Sequence, residues 1–92
     1  MAKIILSGHI EAPNDDLDLV LAELQNHIAL TKQEAGCITF TVTRASENSP
    51  RFDVYEEFTD RAAFDEHQTR VKASRWGEVT KNVERFYTVT GG

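Results

Sequence analysis

The feature that most constrains this chain is the order in which its hydrophobic period changes. Apolar residues recur every second position, then every three or four, then every second position over two successive runs. They return to three or four, and end on every second position. Strands place side chains on alternate faces, and helices bring i, i+3 and i+4 together. The pattern therefore reads strand, helix, strand, strand, helix, strand. A length of 92 residues leaves room for one domain.

Residues 3–12 read as the first strand, with Ile4, Leu6, Gly8 and Ile10 on one face. Ser7, His9 and Glu11 fall on the other face, with Ile5 as its apolar member. Pro13-Asn14 breaks the strand. Asn14 is a good N-cap, and Asp15, Asp16 and Asp18 suit the positive end of a helix dipole. The helix is expected over about 15–34, with Leu17, Val20, Leu21, Leu24 and Ile28 as its apolar stripe. Leu19 and Leu30 lie opposite. Gly36 is expected to cap its C-terminus. Residues 37–45 form a strand in which Ile38, Phe40 and Val42 face one way and Cys37, Thr39, Thr41 and Thr43 the other. A polar turn, Ser46 to Pro50, leads to a strand over 51–59, so the pair reads as a hairpin. Asp60 caps a second helix from Arg61, whose Ala63, Phe64, His67 and Val71 share a face. Val71 to Val79 also reads as helical, with Gly77 a weak point. The last strand spans 83–90, leaving Gly91-Gly92 as a tail.

This order folds most simply as an α+β domain: a four-stranded antiparallel sheet with both helices on one face, the ferredoxin-like βαββαβ arrangement. The other sheet face, carrying Ile5, Tyr55 and part of the last strand, is then open. A domain of this size has a thin core, so face-to-face pairing of two copies into a homodimer is expected. The net charge is −5, from 10 Lys+Arg against 15 Asp+Glu, without a basic cluster. That is a poor match to nucleic acid or to an anionic membrane surface. The single cysteine, Cys37, cannot form an internal disulfide, and no Cys/His spacing marks a metal site. No apolar run reaches a membrane span, and the N-terminal one is too short for a signal peptide. The cytoplasm is the default expectation.

The chemistry concentrates in Phe52-Asp53-Val54-Tyr55-Glu56-Glu57-Phe58. Alternation puts Glu56 on the apolar face with Phe52, Val54 and Phe58. A carboxylate among core residues is costly unless paired, and its pKa is readily perturbed. His67 lies on the sheet-facing side of the second helix, so the two are expected to meet between that helix and the third strand. A His–Glu pair makes a competent general base. The residue types alone also allow a structural Glu56 bonded to a backbone amide or an Arg, and they favour a satisfied, half-buried His67. His9 is a further candidate for ligand contact, although its strand position also suits a surface histidine. His27 sits at the edge of the first helix's stripe. Cys37 reads as a packed small residue rather than a nucleophile. Phe40, Phe58, Phe64, Trp76 and Phe86 would fill the helix–sheet space, and a pocket among them would suit a flat aromatic ligand.

Three segments carry a family likeness. Glu34-Ala35-Gly36-Cys37 with Phe40 and Val42 resembles the E-x-G-C-x-x-F-x-V segment of the antibiotic biosynthesis monooxygenase (ABM) domain. Phe52, Tyr55-Glu56 and Phe58 resemble its F-x-x-Y-E-x-W/F strand. Asp60, Ala63-Phe64 and His67, with Trp76 beyond, resemble its D-x-x-A-F-x-x-H segment and following aromatic. The resemblance implies a dimeric α+β barrel. It also implies a monooxygenase that needs no cofactor and oxidises a quinol or polycyclic phenol with molecular oxygen. His67 would then be base or proton relay, with Glu56 orienting it, and His9, Phe40, Phe58, Phe64 and Trp76 would contact substrate. The related haem-degrading enzymes carry a strand Asn, a helix Trp and a downstream iron-binding His. Here Gly8, His67 and Trp76 stand near those positions, which argues against that activity. An isomerase or a non-catalytic small-molecule-binding dimer on the same scaffold is the alternative, because fold alone does not set function.

Overall fold

The computed structural model describes residues 3–91; Met1, Ala2 and Gly92, with the tail reading placed on the last, lie outside the described residues. Four strands, β1 (Ile4–Glu11), β2 (Cys37–Arg44), β3 (Arg51–Phe58) and β4 (Glu84–Gly91), form one sheet. Their order is β2-β3-β1-β4, and every neighbouring pair is antiparallel. Helices α1 (Leu17–Lys32), α2 (Arg61–Lys72) and α3 (Arg75–Val79) complete the α+β ferredoxin-like fold. Gly91 ends β4 rather than starting a tail.

The core lies between sheet and helices. Ile4, Val20, Phe52 and Phe58 are fully buried, with Leu6, Ile10 and Phe64 around them. β1 alternates as its sequence pattern requires, and it pairs Leu6 with Glu56 and Ile10 with Phe52 on the helix side. Gly8 is obligatory within it. Its φ is +149°, and a Cβ there would strike the backbone carbonyl of Phe86 on β4.

Several local expectations are corrected. A 3-10 turn over Asn14–Asp16 precedes α1, and neither Asn14 nor Asp16 caps it through a side chain. The buried stripe of α1 runs Val20, Leu24, His27 and Thr31, while Leu21 is exposed. That stripe follows the four–three–four spacing, and it rotates His27 from the edge to the centre. α1 ends at Lys32, and Gly36 has no left-handed backbone. Glycine is needed at 36 for another reason: a Cβ would collide with that of Ala63 on α2. A register shift between Cys37 and Thr39 turns Ile38 outward and leaves Cys37 against the core. A bulge adds one residue and so inverts the alternation before it. Asp60 does cap α2, accepting from the Ala63 amide at 2.8 Å. The helical stretch then breaks at Ser74, which caps α3 by accepting from the Gly77 amide. That restart turns Trp76 inward.

Candidate active site

A cavity of about 310 Å³ lies between the helix-side face of the sheet and the helices. Its polar wall holds His27 from α1, Glu56 from β3 and His67 from α2. Phe40, Phe64 and Trp76 form the aromatic wall. The last strand supplies Arg85, Tyr87 and Val89, which the sequence reading did not single out. Their register explains the placement, because they pair with Ile10, Gly8 and Leu6, the inward members of β1. Phe58 lies behind the site, with its ring centroid 4.9 Å from that of His67. His9 is not brought to the cavity. It projects from the opposite sheet face with Nε2 3.3 Å from Glu11, stacked at 4.6 Å on Phe86, which its pairing with His9 places there and not in the expected helix–sheet space. Strict alternation along β1 separates it from Leu6 and Ile10, so its expected contact with a ligand in this cavity does not arise within one chain.

His67 is 3% exposed. Its Nδ1 lies 2.9 Å from Oε2 of Glu34, in the turn after α1. Arg70, one helical turn beyond His67, donates to the same oxygen at 2.7 Å and to Thr31 Oγ1 at 3.0 Å. An ionised carboxylate only accepts, so Nδ1 is the protonated nitrogen and Nε2 of the neutral ring is the free acceptor. Nε2 stands 3.7 Å from Oε1 of Glu56, which is beyond hydrogen-bond length. The expected meeting of Glu56 and His67 is thus found, but the residue that orients His67 is Glu34. Gly36 permits this by letting the turn close against Ala63. Glu34 is 33 residues from His67, so no helical or strand period links them. Its presence in the E-x-G-C segment was the one signal in the sequence.

Burial sets the protonation states. It lowers the pKa of His67, and the Glu34 hydrogen bond opposes that shift. Burial, with the Glu34 charge second, raises Glu56 to about 7. Burial, then the nearby His67 and Arg70, lowers His27 to about 3. His27 is therefore a neutral ring at pH 7, stacked on Trp76 with centroids 4.5 Å apart. Tyr87 is 38% exposed overall, but enclosure of its hydroxyl end, with Glu56 second, raises that hydroxyl to about 12. Among the described residues, two buried polar atoms, His27 Nδ1 and Glu56 Oε1, have no hydrogen-bond partner. The cavity can accept a proton at one nitrogen and hold one on the neighbouring carboxyl. Among the described residues, no three His, Cys, Asp or Glu side chains are grouped to hold a metal ion. No helix among the described residues is long and apolar enough to cross a membrane.

The fold has many solved counterparts. A candidate antibiotic biosynthesis monooxygenase from Nitrosomonas europaea superposes with a TM-score of 0.74 at 14% identity, covering 100% of this chain and 96% of its own. A second structure, named as an antibiotic biosynthesis monooxygenase, gives 0.67 at 23% identity, with 100% and 96% covered. A protein of unknown function and possible oxidoreductase from Bacteroides thetaiotaomicron gives 0.70 at 14% identity, with 99% and 96% covered. At these identities the likeness shows the fold. No curated protein sequence matches the chain. The family profile described as antibiotic biosynthesis monooxygenase matches residues 3–78, most of the chain. By that match, and with the fold to accompany it, the chain belongs to the antibiotic biosynthesis monooxygenase family.

Proposed function

We propose that this protein is a cofactor-independent monooxygenase that oxidises a quinol or polycyclic phenol with molecular oxygen. The observation that carries the reading is His67: buried, fixed by Glu34 through Nδ1, and carrying an unbonded Nε2 at the cavity wall. A phenolic hydroxyl docked against Phe40, Phe64 and Trp76 gives its proton to Nε2. Glu34 stabilises the imidazolium that results. The phenolate is electron-rich enough to pass one electron to oxygen, and the two radicals recombine at carbon. Loss of water then leaves a product with one more oxygen and two fewer hydrogens than the substrate, so one substrate and one O2 yield one product and one water. The protein's contributions are deprotonation, a dry aromatic cavity and positioned polar groups. In this reading two copies pair through the open sheet face, where Ile5, Tyr55 and Phe86 lie.

The test is oxygen consumption by metal-free protein with a panel of reduced naphthoquinols and polycyclic phenols, beside controls without enzyme. Uptake above the control is expected for wild type and is expected to vanish in His67→Ala. Full activity in that variant would sink the assignment of the base.

A further inference from the structure

Glu56 is left without a role once Glu34 is seen to orient His67. It is 6% exposed, it lies in the cavity wall, and its Oε1 has no hydrogen-bond partner among the described residues. Leaving such a group unpaired is costly, and its position in the cavity wall lets a bound ligand supply the partner. The partner's place follows from distance. Oε1 and the free Nε2 of His67 are 3.7 Å apart. A single oxygen atom at an ordinary hydrogen-bond length of about 2.8 Å reaches both.

We propose that Glu56 acts as a neutral carboxylic acid that donates a hydrogen bond to the substrate's phenolic oxygen, holding the phenolate formed when His67 takes the proton. The inference rests on the function proposed above. The proton moves from the phenolic oxygen to Nε2, and Glu56 keeps its own. An ionised Glu56 would instead repel the phenolate across a hydrogen-bond distance.

The surroundings favour the protonated acid. On β1 and β2 it is flanked by Leu6 and Phe40, its register partners, neither of which carries charge. α2 presents the His67 ring, whose pKa burial lowers and whose Nε2 stands 3.7 Å away. α1 presents His27, held neutral. The turn after α1 presents the Glu34 carboxylate, whose charge opposes ionisation of a second one and whose own charge is engaged by Arg70. Burial first, with nearby carboxylates behind it, raises both Cys37 on β2 and Tyr87 on β4, so neither is an anion at pH 7. Arg85 lies beside Tyr87 and donates to Val83 and Thr80 oxygens, not to Glu56. Burial, with the Glu34 charge second, raises the Glu56 carboxyl to about 7.

The test is anaerobic binding of 2-naphthol, followed by fluorescence of Trp76, the single tryptophan, from pH 6 to 8.5. The probe's own hydroxyl stays protonated over that range. Wild-type affinity is expected to fall about tenfold or more across it, as the donor is lost. Glu56→Gln keeps an N–H donor but cannot ionise, and is expected to bind with a flat pH profile. Glu56→Val is expected to bind about tenfold or more weakly than Glu56→Gln at pH 6. Matching pH profiles for wild type and Glu56→Gln would overturn the proposal, as would equal affinities for the Gln and Val variants. Because oxygen is absent, these results stand apart from the oxygen-uptake test of His67, and either reading can fail alone.

Discussion

Replacing Glu56 by Gln changes how stability depends on pH, and the structure gives the size of the change. In the folded chain the Glu56 pKa is about 7, against 4.5 for the free side chain. Below 4.5 both folded and unfolded chains hold the proton, and the carboxyl carries no ionisation penalty. As pH rises, the unfolded chain releases its proton first, so folding becomes less favourable until the folded chain also ionises. The shift of about 2.5 units, at 1.36 kcal/mol each, corresponds to about 3 kcal/mol lost between pH 4 and 8.5. A buried Gln amide has its own cost, but that cost does not vary with pH. The other titrating groups cancel in the difference between the two proteins. Urea unfolding followed by Trp76 fluorescence, at fixed protein concentration, measures that difference. With a urea m-value of about 1–2 kcal/mol/M, the gap between the two midpoints should change by roughly 1.5–3 M in favour of Glu56→Gln as pH rises from 4 to 8.5. Parallel curves would refute the reasoning, because they would mean that Glu56 ionises alike in the folded and unfolded chains.

Three further outcomes follow from the same geometry. Glu34→Gln should lower turnover by about 100-fold or more, since the fixed tautomer of His67 is lost. Its acid limb should also move to lower pH, because Glu34 raises the His67 pKa; an unmoved limb would argue for a purely structural Glu34. His27 has a folded pKa of about 3 against 6.5, so stability present above pH 6.5 is lost as pH falls towards 3, by about 5 kcal/mol in full. His27→Phe keeps a ring against Trp76 without the titration and should shift the acid-unfolding midpoint to lower pH. Gly36→Ala sets a new Cβ against Ala63 and should cost about 1–3 kcal/mol in chemical denaturation. It should also lower turnover with the best substrate by moving Glu34 away from His67.

The architecture was legible because it rests on local periods. Alternation in β1 and β3 set which residues face the helices, and it put Glu56 inward before any contact was known. The α2 stripe did the same for His67, and Asp60 marked where that helix begins. Periodicity failed where one residue shifts a phase. The bulge at Cys37–Thr39 turned Ile38 outward, and the stripe of α1 proved to pass through His27 rather than Leu21. β4 showed no clear inward face in the sequence. Its pairing with β1 is what commits Tyr87 and Val89 to the cavity.

The sequence by itself determined the order of elements, the layer each faces, and the presence of a carboxyl and an imidazole between sheet and helix. Period and propensity act over a few residues and need no partner to be read. Only the tertiary structure decided which carboxylate holds the histidine and which one stands free. Those outcomes depend on distances of a few ångströms between residues tens of positions apart, such as Glu34 and His67. Hydrogen bonding and burial then fix the protonation of each group, because both act through space rather than along the chain.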